Sequence, residues 1–236
     1  MFDNMFSFDN IGVMLQEAGM RVIPALICIT FHELAHGYTA YRLGDRTAKD
    51  MGRLTLNPIK HIDIIGLLMM MFFRFGWAKP VPVNMYNFKR PKWYMAMTAI
   101  AGPLSNFILA IVVMALFGLL ITLLGGYFVL HGDMLLLQTP GAGGIALTML
   151  YNTAFISVAL AVFNLMPVPP LDGSKVLFSI LPERAYVKLM RYERYGMILL
   201  VIFLTTPFFR ETIGRLTFTL ISHLDVIWRT MFRLVN

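Results

Sequence analysis

Long apolar runs cut by short polar stretches set the pattern of this chain. Residues 95–124 and 145–165 contain no Asp, Glu, Lys or Arg. A helix needs about 20 apolar residues to cross a bilayer, so both runs are predicted to span one. A first long helix is predicted from about residue 11 or 20 to residue 43, where Gly44-Asp45 supplies turn chemistry. Pro24 lies inside it and is expected to kink it or to mark its effective start. Residues 195–209 form a shorter apolar run, read as a further span. Residues 217–236 are amphipathic. Leu220, Leu224, Ile227, Trp228 and Met231 share one face, and Ser222, Asp225, Arg229 and Arg233 share the other. That pattern predicts an interfacial helix or a weak last span.

Two stretches break the rhythm. Residues 46–93 are irregular and basic. Within them, residues 62–73 are apolar but too short to span, and are read as re-entrant or lying on the membrane surface. Residues 53–56 and 78–83 look like short edge strands, because Pro80 and Pro82 are tolerated at edges and not in a sheet interior. The second break is residues 164–173, where Pro167, Pro169 and Pro170 must end a helix. The expected fold is therefore an all-α polytopic membrane protein with about five to six membrane helices and a re-entrant, short-strand region between the first two long spans. No repeat, linker or low-complexity run divides the chain, so residues 1–236 are read as a single domain.

Composition agrees. The chain is 58% hydrophobic and 14% charged, against about 25% charged in a soluble domain. The formal net charge of +7 is scattered through short loops, which suits the positive-inside rule and not a nucleic-acid partner. It places residues 46–93 and the loop carrying Lys175, Arg184, Lys188, Arg191 and Arg194 in the cytoplasm. Residues 1–17 and 125–144 carry acidic residues and no basic ones, so they are expected outside. The expected location is a cell membrane, crossed several times. No basic region precedes the first apolar run, so no removable signal peptide is expected. Cys28 is the sole cysteine, which excludes an internal disulfide.

The chemistry concentrates in Phe31-His32-Glu33-Leu34-Ala35-His36-Gly37. On a helix His32 and His36 lie one turn apart on one face, a spacing that can hold one zinc ion. Glu33 is placed to act as a base beside it. Two imidazoles and a carboxylate are costly at membrane depth unless something pairs with them. A catalytic zinc takes a third protein ligand. The first helix and the 145–165 helix both run inward, so the proline-broken end of the second reaches the depth of the histidines. Asp172 follows that break and is the candidate third ligand. The alternative, that Asp172-Gly173 merely caps the next helix, stays open on residues alone.

These landmarks resemble the site-2 protease family of intramembrane zinc metalloproteases, peptidase family M50. The resemblance rests on residues 31–37, 52–66, 76–84, 101–106 and 164–174. It implies membrane helices around one Zn2+ per chain held by His32, His36 and Asp172, with Glu33 catalytic. It also implies cleavage of a membrane-spanning substrate helix and a bacterial cell membrane as the location; the charge pattern puts the site towards the cytoplasmic side. The compact form is expected, without PDZ or CBS modules. Asn106 and Asn164 are amides near the right depth to stabilise an oxyanion or pin substrate, or else simply to bond helix to helix. The stretches near Leu54 and Val81 are candidates for strand addition to an unwound substrate.

Other polar residues carry weaker expectations. His61 and Asp63 are read as structural in preference to a second metal site, and His131 and His223 as solvated. Tyr192-Glu193-Arg194-Tyr195 has no assigned role. The rival functions are a membrane metal transporter, which needs ligands spread along a path, and a non-catalytic scaffold that binds substrate helices. Partners are the substrate helix and the lipid bilayer. The sequence leaves the substrate and the oligomeric state open.

Overall fold

A computed structural model describes residues 8–73, 76–124, 127–131, 134–138, 143–192, 195–196, 200, 202, 204 and 206–233. The first helix, α1, runs from Phe8–Arg42 and keeps Pro24 inside it. Proline has no N–H, so the carbonyl four residues earlier loses its helical donor. That carbonyl belongs to Met20, and Asn152 Nδ2 from another helix donates to it at 2.9 Å. The helix therefore continues through the proline, because a neighbour satisfies the freed group. It ends at Gly44, whose φ of 112° suits a residue without a Cβ.

The irregular region follows. It holds a short helix α2 (Thr47–Asp50), a single turn at Pro58–His61, helix α3 (Ile64–Phe73) and a turn at Met85–Asn87. The ten residues of α3 are too few to span, and Ile64 and Ile65 are exposed. Residues 53–56 and 78–83 do not build strands. Between them and their neighbours one antiparallel bridge forms, Ile62 with Ala78. The prolines explain this: Pro80 and Pro82 have no N–H to give a ladder, and the Val81 N–H goes to a side chain instead.

Two long helices, α4 (Pro91–Leu123) and α5 (Gly143–Asn164), pack against α1 and each other. A two-stranded antiparallel hairpin separates them, β1 (Tyr127–His131) and β2 (Met134–Gln138), with Tyr127 opposite Gln138 and His131 opposite Met134. The sequence pattern did not predict it. Helices α6 (Asp172–Ile180), α7 (Glu183–Tyr192) and α8 (Pro207–Arg233) complete the described elements. Only parts of residues 195–206 are described, so the predicted span at 195–209 is covered in part, and α8 begins inside its end. Tyr192-Glu193-Arg194-Tyr195 likewise falls partly outside the described residues, as does the side chain of His131.

Three helical stretches are long and apolar enough to cross a membrane: Ala18–Arg42, Pro91–Leu123 and Gly143–Asn164. The protein is a mostly helical membrane protein. Its apolar core joins α4, α5 and α8 through Val113, Met114, Phe117, Leu147, Val158, Ile221 and Trp228. Phe117 and Trp228 meet edge to face at 5.9 Å. Thr217, Ile221 and Trp228 of α8 are buried and Leu224 packs partly buried against the core, while Leu220 and Ile227 are exposed. The packed stripe keeps Leu224 and Trp228 of the predicted one and turns away from Leu220 and Ile227. Both faces of α8 are apolar enough that the helical period alone does not choose between them.

Candidate active site

Helix α1 carries His32 and His36 on one face, as the four-residue spacing requires. Proline ends α5 and forces the chain through a turn, so that Asp172 opens α6 beside them. The side chains meet closely. His32 Nε2 and His36 Nε2 are 3.0 Å apart, and each lies 3.1 Å from Asp172 Oδ2. All three residues are buried, at 5%, 9% and 7% exposure.

The far nitrogen of each imidazole is occupied. His36 Nδ1 donates to the Thr98 carbonyl at 2.7 Å. His32 Nδ1 faces the Asn106 amide at 3.4 Å, and Asn106 Oδ1 is buried without a partner. Turning that amide half a revolution sets Oδ1 on the His32 Nδ1–H, the orientation in which the amide accepts from the ring. With both Nδ1 atoms protonated, both Nε2 atoms present lone pairs to each other and to a carboxylate. A proton shared with the carboxylate, or a metal ion, resolves such a cluster. Donor atoms of a tetrahedral zinc site lie about 3.3 Å apart, close to the spacing here. Imidazoles oriented from behind are the usual support for a metal ligand.

Helix α4 makes room for the rings. A Cβ at Gly102 would lie 2.5 Å from His36 Cε1 and 2.7 Å from His32 Cε1, which no side chain tolerates. Gly37 serves the neighbouring contact, where a Cβ would lie 2.7 Å from Leu54 Cδ2 and 3.0 Å from Val81 Cγ1. Lys175 Nζ, one turn along α6, is 3.6 Å from Asp172 Oδ1, so the second carboxylate oxygen faces a cation of the protein's own.

A cleft of about 520 Å³ opens on this cluster, lined among others by Glu33, Val81, Val83, Asn84, Tyr86, Asn164 and Lys175. Glu33 Oε2 accepts a 2.7 Å hydrogen bond from the Val81 N–H. Asn164 lines the cleft, with Nδ2 donating to the Leu160 carbonyl of its own helix at 3.0 Å. Asn106 stands elsewhere, fully buried behind His32, and its main-chain carbonyl accepts from Ser157 Oγ at 2.9 Å. His61 is buried with Nε2 donating to the Thr55 carbonyl, and Asp63 Oδ1 accepts from Gly66 N at the start of α3. Both hold local structure. Among the described residues, His32, His36 and Asp172 form the one group of three that could hold a metal ion. His223 is exposed and bonds back to Thr219 O.

Sequence reasoning did not find Thr98, Gly102, Lys175 or the Glu33–Val81 bond. The Pro-Val-Pro stretch held a signal for the last, since it leaves one N–H between two prolines.

The candidate zinc metalloprotease YwhC of Bacillus subtilis (strain 168) is 39% identical over 195 residues, covering 79% of this chain and 80% of that one. The candidate zinc metalloprotease Rip2 of Mycolicibacterium smegmatis is 27% identical over 189 residues, 77% of this chain and 65% of its own. Rip2 of Mycobacterium tuberculosis (strain H37Rv) is 25% identical over 192 residues, 80% and 67%. No solved structure matches the chain significantly. The model of peptidase family M50 matches residues 21–206, a range that holds both histidines, Glu33, Asp172 and the cleft between them. On that match and the YwhC likeness, the chain belongs to peptidase family M50.

Proposed function

We propose that this protein is a zinc-dependent endopeptidase that cuts a membrane-protein substrate within or beside a spanning segment. The observation that carries the reading is the buried triangle that Asp172 makes with His32 and His36, two residues of a helix of spanning length, opening on a cleft that also holds Glu33. His32 Nε2, His36 Nε2 and Asp172 Oδ2 would hold one zinc ion. When bound, zinc supplies Lewis acidity towards water and a substrate carbonyl.

The protein's own groups do the rest. The Glu33 carboxylate accepts a proton from the attacking water and returns it to the amide nitrogen that leaves. Asn164, whose amide has a second N–H beyond the one given to Leu160 O, is the cleft donor for the developing oxyanion. Asn106 and Thr98 hold the two imidazoles in the tautomer that ligation needs. Lys175 restrains the second oxygen of Asp172. The extended segment 78–83 borders the cleft, and an unwound substrate backbone would pair along it.

The protein is read as a multi-pass protein of the bacterial cell membrane with the site towards the cytoplasm, because basic residues dominate the loops beside it. Segments between residues 195 and 233 would add up to two spans beyond the three long helices, and a re-entrant α3 would bring the membrane helices to about five to six. Zinc analysis of purified protein tests the centre. Wild type and Glu33→Gln should each hold one equivalent, and Asp172→Asn should hold far less. Equal zinc in the Asp172 variant would remove Asp172 from the ligand set.

A further inference from the structure

Residues 79–84 border the cleft without belonging to a helix or a sheet, and two buried charged side chains hold them. Arg53, 6% exposed, directs its guanidinium at main-chain carbonyls: Nη2 donates to Lys79 O at 2.8 Å and Pro80 O at 3.3 Å. Asp45 is fully buried and holds the other end. Its Oδ2 accepts from Asn84 N at 2.7 Å, and its Oδ1 accepts from Asn87 Nδ2 at 2.7 Å and from Thr47 Oγ1 and N at 2.5 and 3.1 Å. Both lie just beyond α1, the helix that carries the metal-binding pair. The Lys79 N–H is also committed, to His61 O at 3.0 Å.

Between these anchors the backbone has little freedom. Pro80 and Pro82 fix their own φ and push Lys79 and Val81 into extended conformation. In extended chain, residues two apart present N–H and C=O to the same side. The Val81 N–H points at Glu33, and Val83, two residues on, also lines the cleft.

We propose that Arg53 and Asp45 are positioning residues that stretch this segment between two fixed points, so that its Val81–Val83 edge receives the substrate backbone in register with Glu33 and the metal ligands. The proposal rests on the peptidase reading above and names the residues that set its substrate register. Neither residue touches the reacting atoms. Their effect must therefore appear on ligands that extend along the segment and be absent for ligands that grip the metal alone.

The test uses full-length, zinc-loaded protein in detergent and two probes, acetohydroxamate and a leucyl-alanyl-leucine hydroxamate, with affinities measured by calorimetry. Wild type should bind the tripeptidyl probe at least tenfold more tightly. Asp45→Asn and Arg53→Lys should each weaken the tripeptidyl probe about tenfold, the scale of a lost charge-assisted bond, and leave zinc content and acetohydroxamate affinity within twofold of wild type. Asn87→Ala removes one of Asp45's bonds and should cost about threefold; it decides the matter with Arg53→Lys if Asp45→Asn does not fold. The proposal is overturned if these variants leave the tripeptidyl probe unchanged, if they weaken both probes alike, or if wild type binds both probes equally. Failure of zinc-loaded wild type to bind either hydroxamate would instead overturn the metal-centre reading.

Discussion

The outer core and the metal cluster are built on opposite terms. Where α4, α5 and α8 meet, Met114, Phe117, Val158 and Trp228 fill space, and any well-fitting apolar set would serve. Lipid tails are apolar too, so this region holds together by shape and close contact, not by escape from water. Around His32 and His36, by contrast, individual atoms have assigned partners: Thr98 O, the Asn106 amide, Asp172 Oδ2, and the absent Cβ of Gly102. The difference teaches where substitution is tolerated. Volume changes in the core should cost stability and spare the metal. Single-atom changes at the cluster should cost the metal and largely spare the fold.

The comparison breaks most sharply at Asp172 and Gly102. Asp172→Asn replaces the proposed charged ligand and should lower zinc affinity more than about 100-fold, read by competition with a chromogenic chelator. Gly102→Ala adds one carbon where the rings stand, and should lower zinc affinity at least about tenfold, since the imidazoles must move. Retention of full zinc by the alanine variant would mean that α4 yields easily and that the cradle is not tight.

A smaller effect is expected at Asn152. Replacing it by Leu leaves the Met20 carbonyl unpartnered beside Pro24, at a cost of about 1–3 kcal/mol. Thermal unfolding in detergent would show a lower midpoint with zinc stoichiometry unchanged. Loss of zinc as well would show that the α1–α5 contact and the cluster are coupled.

The smallest effect is a pH dependence at Asp45. Burial favours its protonated form, but donors from Thr47, Asn87 and the Asn84 and Thr47 main chain outweigh that and hold its carboxyl below the ordinary value. A depressed folded value stabilises the fold above the unfolded pKa, about 4, and the contribution is lost as pH falls through the folded value. The gap in unfolding midpoint between wild type and Asp45→Asn should be constant above about pH 4 and close below it. A gap that widens in acid would contradict the assignment.

How much of this was legible in the sequence follows the same division. The His-Glu-x-x-His spacing and the lone carboxylate after a proline break are local patterns, and the structure brings those side chains together. The three long apolar runs were equally plain. The partners behind the imidazoles were not. Thr98 lies 62 residues from His36, and Asn106 lies 74 from His32. No spacing rule connects residues that far apart. Strands were expected at 53–56 and 78–83 from composition, but the prolines and the Glu33 carboxylate take the groups a ladder would use. The stripe on α8 was legible only in part, with Leu224 and Trp228 packed and Leu220 and Ile227 not, because in a membrane lipid and core ask for the same residue types.

The central claim is that Glu33 is the base of a metal-dependent cut in membrane proteins. Its most direct test compares membrane-protein fragments, by quantitative mass spectrometry, in native-host cells making wild type or Glu33→Gln under several growth conditions. The account predicts specific fragments, cut within or beside a spanning segment, that appear with wild type and vanish with Glu33→Gln. Matching fragment profiles in the two strains across those conditions would contradict it.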